Sequence, residues 1–169
     1  FSIDCLFFVL MMFGFSTGFE FDVNAGTVWF RVTLFSSLRR FKIADFEQIC
    51  GIGVSGIHNR ARVHTWWSYR VVMLLKSGRK LVVSEAKDKS VHAVNRLAEK
   101  LAGAAGCQLF AGESEKVLHA PVCGDQPIVE FRDWTFADAI TEFWADIFLS
   151  LLFFAAILVF VVALTVSLN

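Results

Sequence analysis

The stretch WWSYRVVMLLKSGRKLVVS, residues 66–84, decides the fold. Trp67, Tyr69, Val71, Met73 and Leu75 fall at every second position, with Ser68 and Arg70 between them. Successive side chains of an extended chain point to opposite faces, so this alternation predicts a long strand with one buried face. Lys76-Ser77-Gly78-Arg79 follows as a turn, and residues 80–84 resume a β-rich run. Two such runs joined by a short Gly-containing turn make a hairpin. The chain is therefore expected to be built on antiparallel strands.

Toward the N-terminus the same texture continues. Phe19, Phe21 and Val23 alternate with Glu20 and Asp22, a period-two pattern. Asn24-Ala25-Gly26 is a turn, because Asn and Gly accept positive φ. Residues 27–35 form a second β-rich run, residues 36–42 read as a polar, basic loop, and residues 47–57 read as a strand weakened by glycines. Residues 58–64 read as another basic loop. Toward the C-terminus, Val91, Val94, Leu97, Ala98, Leu101 and Ala105 recur at three- and four-residue steps, which predicts an amphipathic helix over residues 88–105. Asp88 or Ser90 can cap its start and Gly106 its end. Residues 112–133 hold both prolines, Pro121 and Pro127, and read as a linker, with one more strand possible at 128–132. Thr135 and Asp138 have the spacing of a capping box, which predicts a short interfacial helix over residues 134–146.

The two ends are different in kind. Residues 147–168 contain no charge, no Gly and no Pro. A helix of that length rises to about 33 Å, against a bilayer core of about 30 Å, and so predicts a transmembrane helix. Residues 1–17 are also mostly apolar and are expected to form a second span, truncated at its start, since Phe1 is not a Met. Mean hydropathy is +0.56. The 19 Phe against one Tyr suit a lipid-facing surface, where Phe needs no hydrogen-bond partner. All 16 Lys and Arg lie from Arg31 to Arg132, which places the middle of the chain on one side of a membrane, by the positive-inside rule the cytoplasm. Sixteen basic against 16 acidic residues argue against a nucleic-acid partner. The four Cys form no C-x-x-C pair and read as reduced thiols.

Strands followed by one amphipathic helix resemble the pleckstrin-homology (PH) superfold, in the form of bacterial PH-like domains beside membrane helices. Residues 19–22, the I-A-D-F segment at 43–46, the hairpin at 69–84 with its Ser77-Gly78 turn and the helix at 88–106 carry the likeness. The resemblance implies an α+β fold: a PH-like antiparallel sheet or barrel over residues 18–111, capped by a C-terminal amphipathic helix and flanked by transmembrane helices. The last span departs from the commoner arrangement, in which the membrane helices precede the domain.

Chemistry is sparse. Residues 51–56 match G-x-G-x-x-G, but a dinucleotide site needs a helix next and an acid about 20 residues on. A basic loop follows instead, so these glycines read as bulges or close backbone packing. His58 and His64 flank Arg60 and Arg62, which would repel a metal cation. No nucleophile–base pair and no phosphate loop stand out. No catalytic, metal or cofactor residues are therefore assigned, and the chain is expected not to be an enzyme. Arg39, Arg40, Lys42, Arg60, Arg62, Arg79 and Lys80 are the candidate contacts to headgroups or partners, and Trp66, Trp134 and Trp144 the candidate interface anchors. The expected role is a membrane-anchored, non-catalytic accessory or assembly subunit. It would meet membrane lipids and dock on or stabilise other integral membrane subunits of a larger complex. The alternative is an anionic-lipid or ligand-sensing PH-like module.

Overall fold

A computed structural model describes residues 15–34, 37–61, 63–84, 90–122, 128–141, 144 and 147. Those residues fall in two compact units, Phe1–Asp133 and Trp134–Asn169. The first unit opens with three strands, β1 (Phe15–Asp22), β2 (Thr27–Leu34) and β3 (Ser37–Asp45), paired in that order as one antiparallel sheet. The β1–β2 turn is held by Asp22, whose carboxylate accepts the Asn24 and Ala25 N–H groups, and by Gly26 at φ 63°. Phe21 and Val28 sit opposite one another and turn toward the core, together with Ala44.

A 3-10 turn at Phe46–Gln48 leads into the second sheet. It is built from β4 (Ile49–Ala61), β5 (His64–Leu75), β6 (Lys80–Val82) and β7 (Gln108–Phe110), in the spatial order β6-β5-β4-β7. Between β6 and β7 the chain forms the helix α1 (Val91–Ala105). Ser90 caps it by accepting the Ala93 N–H, and Gly106 closes it in the left-handed region at φ 63°. Its buried stripe is Val94, Ala98, Ala102 and Ala105, small residues that let the helix lie close on the sheet.

The alternation read in residues 67–75 governs how this sheet is covered. Tyr69, Val71, Met73 and Leu75 pack with Ile52 and Val54 under α1, while Val72 and Leu74 belong to a second cluster on the opposite face. That second face is covered by a hairpin, β8 (Val117–Val122) and β9 (Ile128–Arg132), through Leu118, Val129 and Phe131. Ile52, Val54, Val71, Val72, Met73 and Leu74 are each 0% exposed. Burying such a side chain contributes about 1.5–3 kcal/mol, so the β4–β5 hairpin is the energetic centre of the unit.

The expected fold class is corrected in several respects. The helix does not close the domain: β7 follows it and runs parallel to β4, and the β8–β9 hairpin follows β7. The strands form three separately hydrogen-bonded sheets, so the description as one PH-like sheet or barrel with a terminal helix does not hold. The flanking transmembrane helices are also corrected. Among the described residues no helix is long and apolar enough to cross a membrane. Phe15, Ser16 and Thr17, expected inside the first span, pair with Leu34, Thr33 and Val32 as strand β1. A short apolar run satisfies strand and helix equally, and here pairing to β2 decides it. The membrane and transmembrane assignment, and the integral-membrane localisation with a cytoplasmic domain drawn from it, are withdrawn with those helices. Residues 1–14 and 148–169 lie outside the described residues.

Candidate functional site

β3 pairs with β2 along one side, and among the described residues no strand pairs with its other side. All six residues from 37 to 42 are exposed. Register places Phe41 beside Phe30 and Phe30 beside Phe19, an aromatic row across the three strands. Phe19 and Phe30 have ring centroids 5.2 Å apart, whereas Phe41 at the outer edge remains 55% exposed. On the other face Arg40 lies beside Arg31, and its guanidinium stands 3.5 Å from the Glu20 carboxylate. Lys42 meets Asp45 at 2.8 Å. Arg39 has no carboxylate partner among the described residues. Residues 36–42, read from sequence as a loop, are thus in large part an edge strand carrying three cations.

The other predicted basic residues are not gathered with these. Arg60 lies near the β4–β5 turn, and Arg79 and Lys80 lie beyond the opposite end of β5. Twelve residues of strand separate them, roughly 36–40 Å at about 3.3 Å per residue. Lys80 is exposed, and its ammonium donates to the Leu118 carbonyl at 2.9 Å. Arg62 lies outside the described residues. The structure therefore offers no single basic end of the sheet.

Of the aromatic anchors, Trp66 is 37% exposed, on the face of β5 opposite Trp67. Trp67 packs against the core and lies 5.1 Å from the His58 ring. In the second unit Trp134 is half-buried, and a helix opens at residues 136–141. Its start is fixed by Asp138, whose carboxylate accepts the Thr135 N–H at 2.9 Å and hydroxyl at 2.7 Å. Phe136, Ile140 and Trp144 follow at four-residue steps and are 81%, 42% and 61% exposed. Residues four apart share a helix face, so these three make one apolar stripe.

The glycines of the 51–56 segment are accounted for by packing. A Cβ on Gly51 would strike the Phe110 ring, one on Gly53 would strike Leu118, and one on Gly56 would stand 2.6 Å from the Lys116 carbonyl oxygen. The strand also carries a register shift between Ile49 and Gly51. The chain of residues 108–118 occupies the space a phosphate would need. Cys50 and Cys107 line an open depression of about 420 Å³ beside the C-terminal end of α1, with Glu47 and Lys76. Burial pushes the Cys107 thiol above its ordinary pKa, and the nearby Cys50 adds to the effect. The two cysteines pack toward opposite clusters, Cys107 under α1 and Cys50 under the β8–β9 hairpin. Among the described residues no group of three or more His, Cys, Asp or Glu is placed to hold a metal ion.

The polar, basic composition of residues 37–42 predicts a loop, and their exposure on both faces leaves no alternation by which to read the β3 edge. The sequence reading singles out Trp144 but not the stripe; the four-residue spacing of Phe136, Ile140 and Trp144 is the signal that could have found it. Compared with known proteins, the chain matches no family model, no curated protein and no solved structure.

Proposed function

We propose that this chain is a non-catalytic accessory subunit that docks on, and helps assemble, a larger protein complex. The observation that carries the reading is the exposed apolar stripe of Phe136, Ile140 and Trp144. An amphipathic helix ordinarily turns such a stripe to its own core. Exposed apolar residues at i, i+4 and i+8 are also the pattern by which helices enter the grooves of partners. The Thr135–Asp138 cap supports the reading by ordering the first turn before binding, which lowers the entropy lost on docking.

The test is affinity capture of the full chain under mild conditions, followed by quantitative mass spectrometry. An accessory subunit retains partners at near-integral stoichiometry, and Phe136→Asp lowers their recovery at least about tenfold, the scale of one buried anchor. A chain that emerges alone and instead binds anionic vesicles with salt-sensitive affinity would refute the reading in favour of lipid sensing.

A further inference from the structure

We infer that the outer edge of β3 is a docking strand for an extended, acid-rich segment carrying an apolar residue opposite Phe41, supplied by the partner complex. The inference rests on the reading of the chain as a docking subunit and names a second contact surface with its partner chemistry.

In an antiparallel pair every second residue directs its N–H and C=O away from its neighbour. β3 therefore presents a row of outward backbone groups along an edge that no described strand covers. An added strand satisfies such groups directly. Exposure of residues 37–42 on both faces leaves room for the side chains of an incoming strand on either side. The edge of β6 is a weaker template, because it has only three residues.

Charge selects the occupant. The chain as a whole is neutral, yet Arg39, Arg40 and Lys42 crowd four positions of β3. Pairing with the β3 of a second copy would set these cations against one another, and like charges directly opposite in a sheet are destabilising. Lysines and arginines on an edge commonly guard against such self-pairing. An acidic strand removes the repulsion and turns it into complementarity. The face pattern is specific: Arg39 and Phe41 lie on one face, continuing Val32 and Phe30 of β2, and Leu38, Arg40 and Lys42 lie on the other. The fitting segment places an acid beside Arg39, an apolar residue beside Phe41, and acids beside Arg40 and Lys42. Arg40 and Lys42 already have internal carboxylates in Glu20 and Asp45, which leaves Arg39 as the principal new contact.

The experiment uses the full chain and a fluorescein-labelled peptide, Ser-Asp-Phe-Glu-Glu-Val-Ser, which in antiparallel register sets acids beside Lys42, Arg40 and Arg39 and an aromatic ring beside Phe41, with a Lys-for-acid counterpart as control. The acidic peptide is expected to raise anisotropy saturably, with affinity falling as salt rises. It should slow amide hydrogen exchange at alternate positions within residues 37–42. Arg39→Glu is expected to weaken binding at least about tenfold and to restore binding to the Lys peptide, the swap expected of a direct charge pair. Arg39 is exposed, and an unchanged circular dichroism spectrum shows that the variant folds. Phe136→Asp should leave peptide binding intact. Protection elsewhere in the chain, indifference to Arg39→Glu, or self-association through residues 37–42 on sedimentation would overturn the inference. If partners are still captured while the peptide fails, this inference falls and the docking reading stands. If no partner is captured, the docking reading falls.

Discussion

At Gly56 a methyl group would stand 2.6 Å from the Lys116 carbonyl oxygen and 3.0 Å from the Trp67 ring. That carbonyl cannot retreat easily, because it accepts the Gly56 N–H at 3.0 Å. Gly56→Ala is therefore expected to cost about 2 kcal/mol, as overpacking against fixed backbone does. Gly103 is the counter-example: it is exposed on α1 and nothing lies within 4 Å of its missing Cβ. Gly103→Ala should stabilise by about 0.8 kcal/mol, through helix propensity and a less flexible unfolded chain. Urea denaturation of the two variants reads both, and the prediction is their opposite sign. A second residue-scale effect depends on pH. The Asp133 carboxyl is held below its ordinary value of 3.8 by its hydrogen bond to Lys116, and Lys116 is raised above 10.5 by the same partner. As pH falls, the unfolded chain takes up the Asp133 proton first. The pair's contribution is thus present above 3.8 and lost as pH drops through the lowered folded value. For Lys116 the contribution is present below 10.5 and lost as pH rises through the raised folded value. Both groups are solvent-exposed, so the effect is small and screened by salt. Asp133→Asn should flatten both limbs: the difference in urea midpoint between the two proteins stays constant over about pH 5–9 and shrinks outside it.

The connection from β7 to β8 shows how an element without regular structure is held. Asn95 on α1 donates its amide to the Gly112 carbonyl at 3.0 Å and accepts the Gly112 N–H at 2.7 Å. The Tyr69 hydroxyl, beneath the helix, accepts the Glu115 N–H at 3.0 Å. Asn95→Ala leaves both Gly112 backbone groups without these partners and is expected to cost about 2 kcal/mol. Hydrogen exchange should report faster opening at Gly112 and Glu115, with the β4–β5 amides slowed as before. This clamp also marks what the sequence could reveal. The β5–β6 hairpin was legible because Ser68 and Arg70 alternate with Trp67, Tyr69 and Val71 ahead of a Gly-containing turn; the expectation of one buried face is corrected, since residues 71–75 are buried on both faces between α1 and the β8–β9 hairpin. The helix was legible because its buried stripe recurs at three and four. β3 was not, because residues 37–42 are uncovered on both faces and no alternation is imposed on them. β7 has three residues and pairs in parallel with a strand more than fifty positions earlier, so nothing local announces it. β8 was obscured by Pro121 and by a register shift between His119 and Val122, and its partner β9 was only half-visible as an isolated run. The glycines at 51, 53 and 56 matched a cofactor fingerprint by spacing alone. Their cause is the close passage of residues 108–118, which a linear reading cannot supply.

For the whole molecule, the two proposed contacts lie in different compact units, β3 in Phe1–Asp133 and the 136–144 stripe in Trp134–Asn169. If both engage one partner, the second contact forms at an effective concentration set by the chain between them, and the affinities reinforce each other. Phe136 is 81% exposed and Arg39 is exposed, so neither Phe136→Asp nor Arg39→Glu should shift the urea midpoint of the first unit by more than about 0.5 kcal/mol. Partner recovery should respond quite differently. Each single variant removes one foothold and with it the reinforcement, so capture falls at least about tenfold. The double variant is expected to retain no capture above a bead control. Two independent partners would instead give two separable losses, each variant releasing one protein and leaving the other at full stoichiometry. Quantitative mass spectrometry of the four proteins, unaltered, each single and the double, separates these cases. If stability falls in step with capture in the single variants, the footholds are structural rather than docking surfaces. Exposure makes the opposite expectation firm: folding free energy is carried by Ile52, Val54, Val71 and Met73, none of which these substitutions touch.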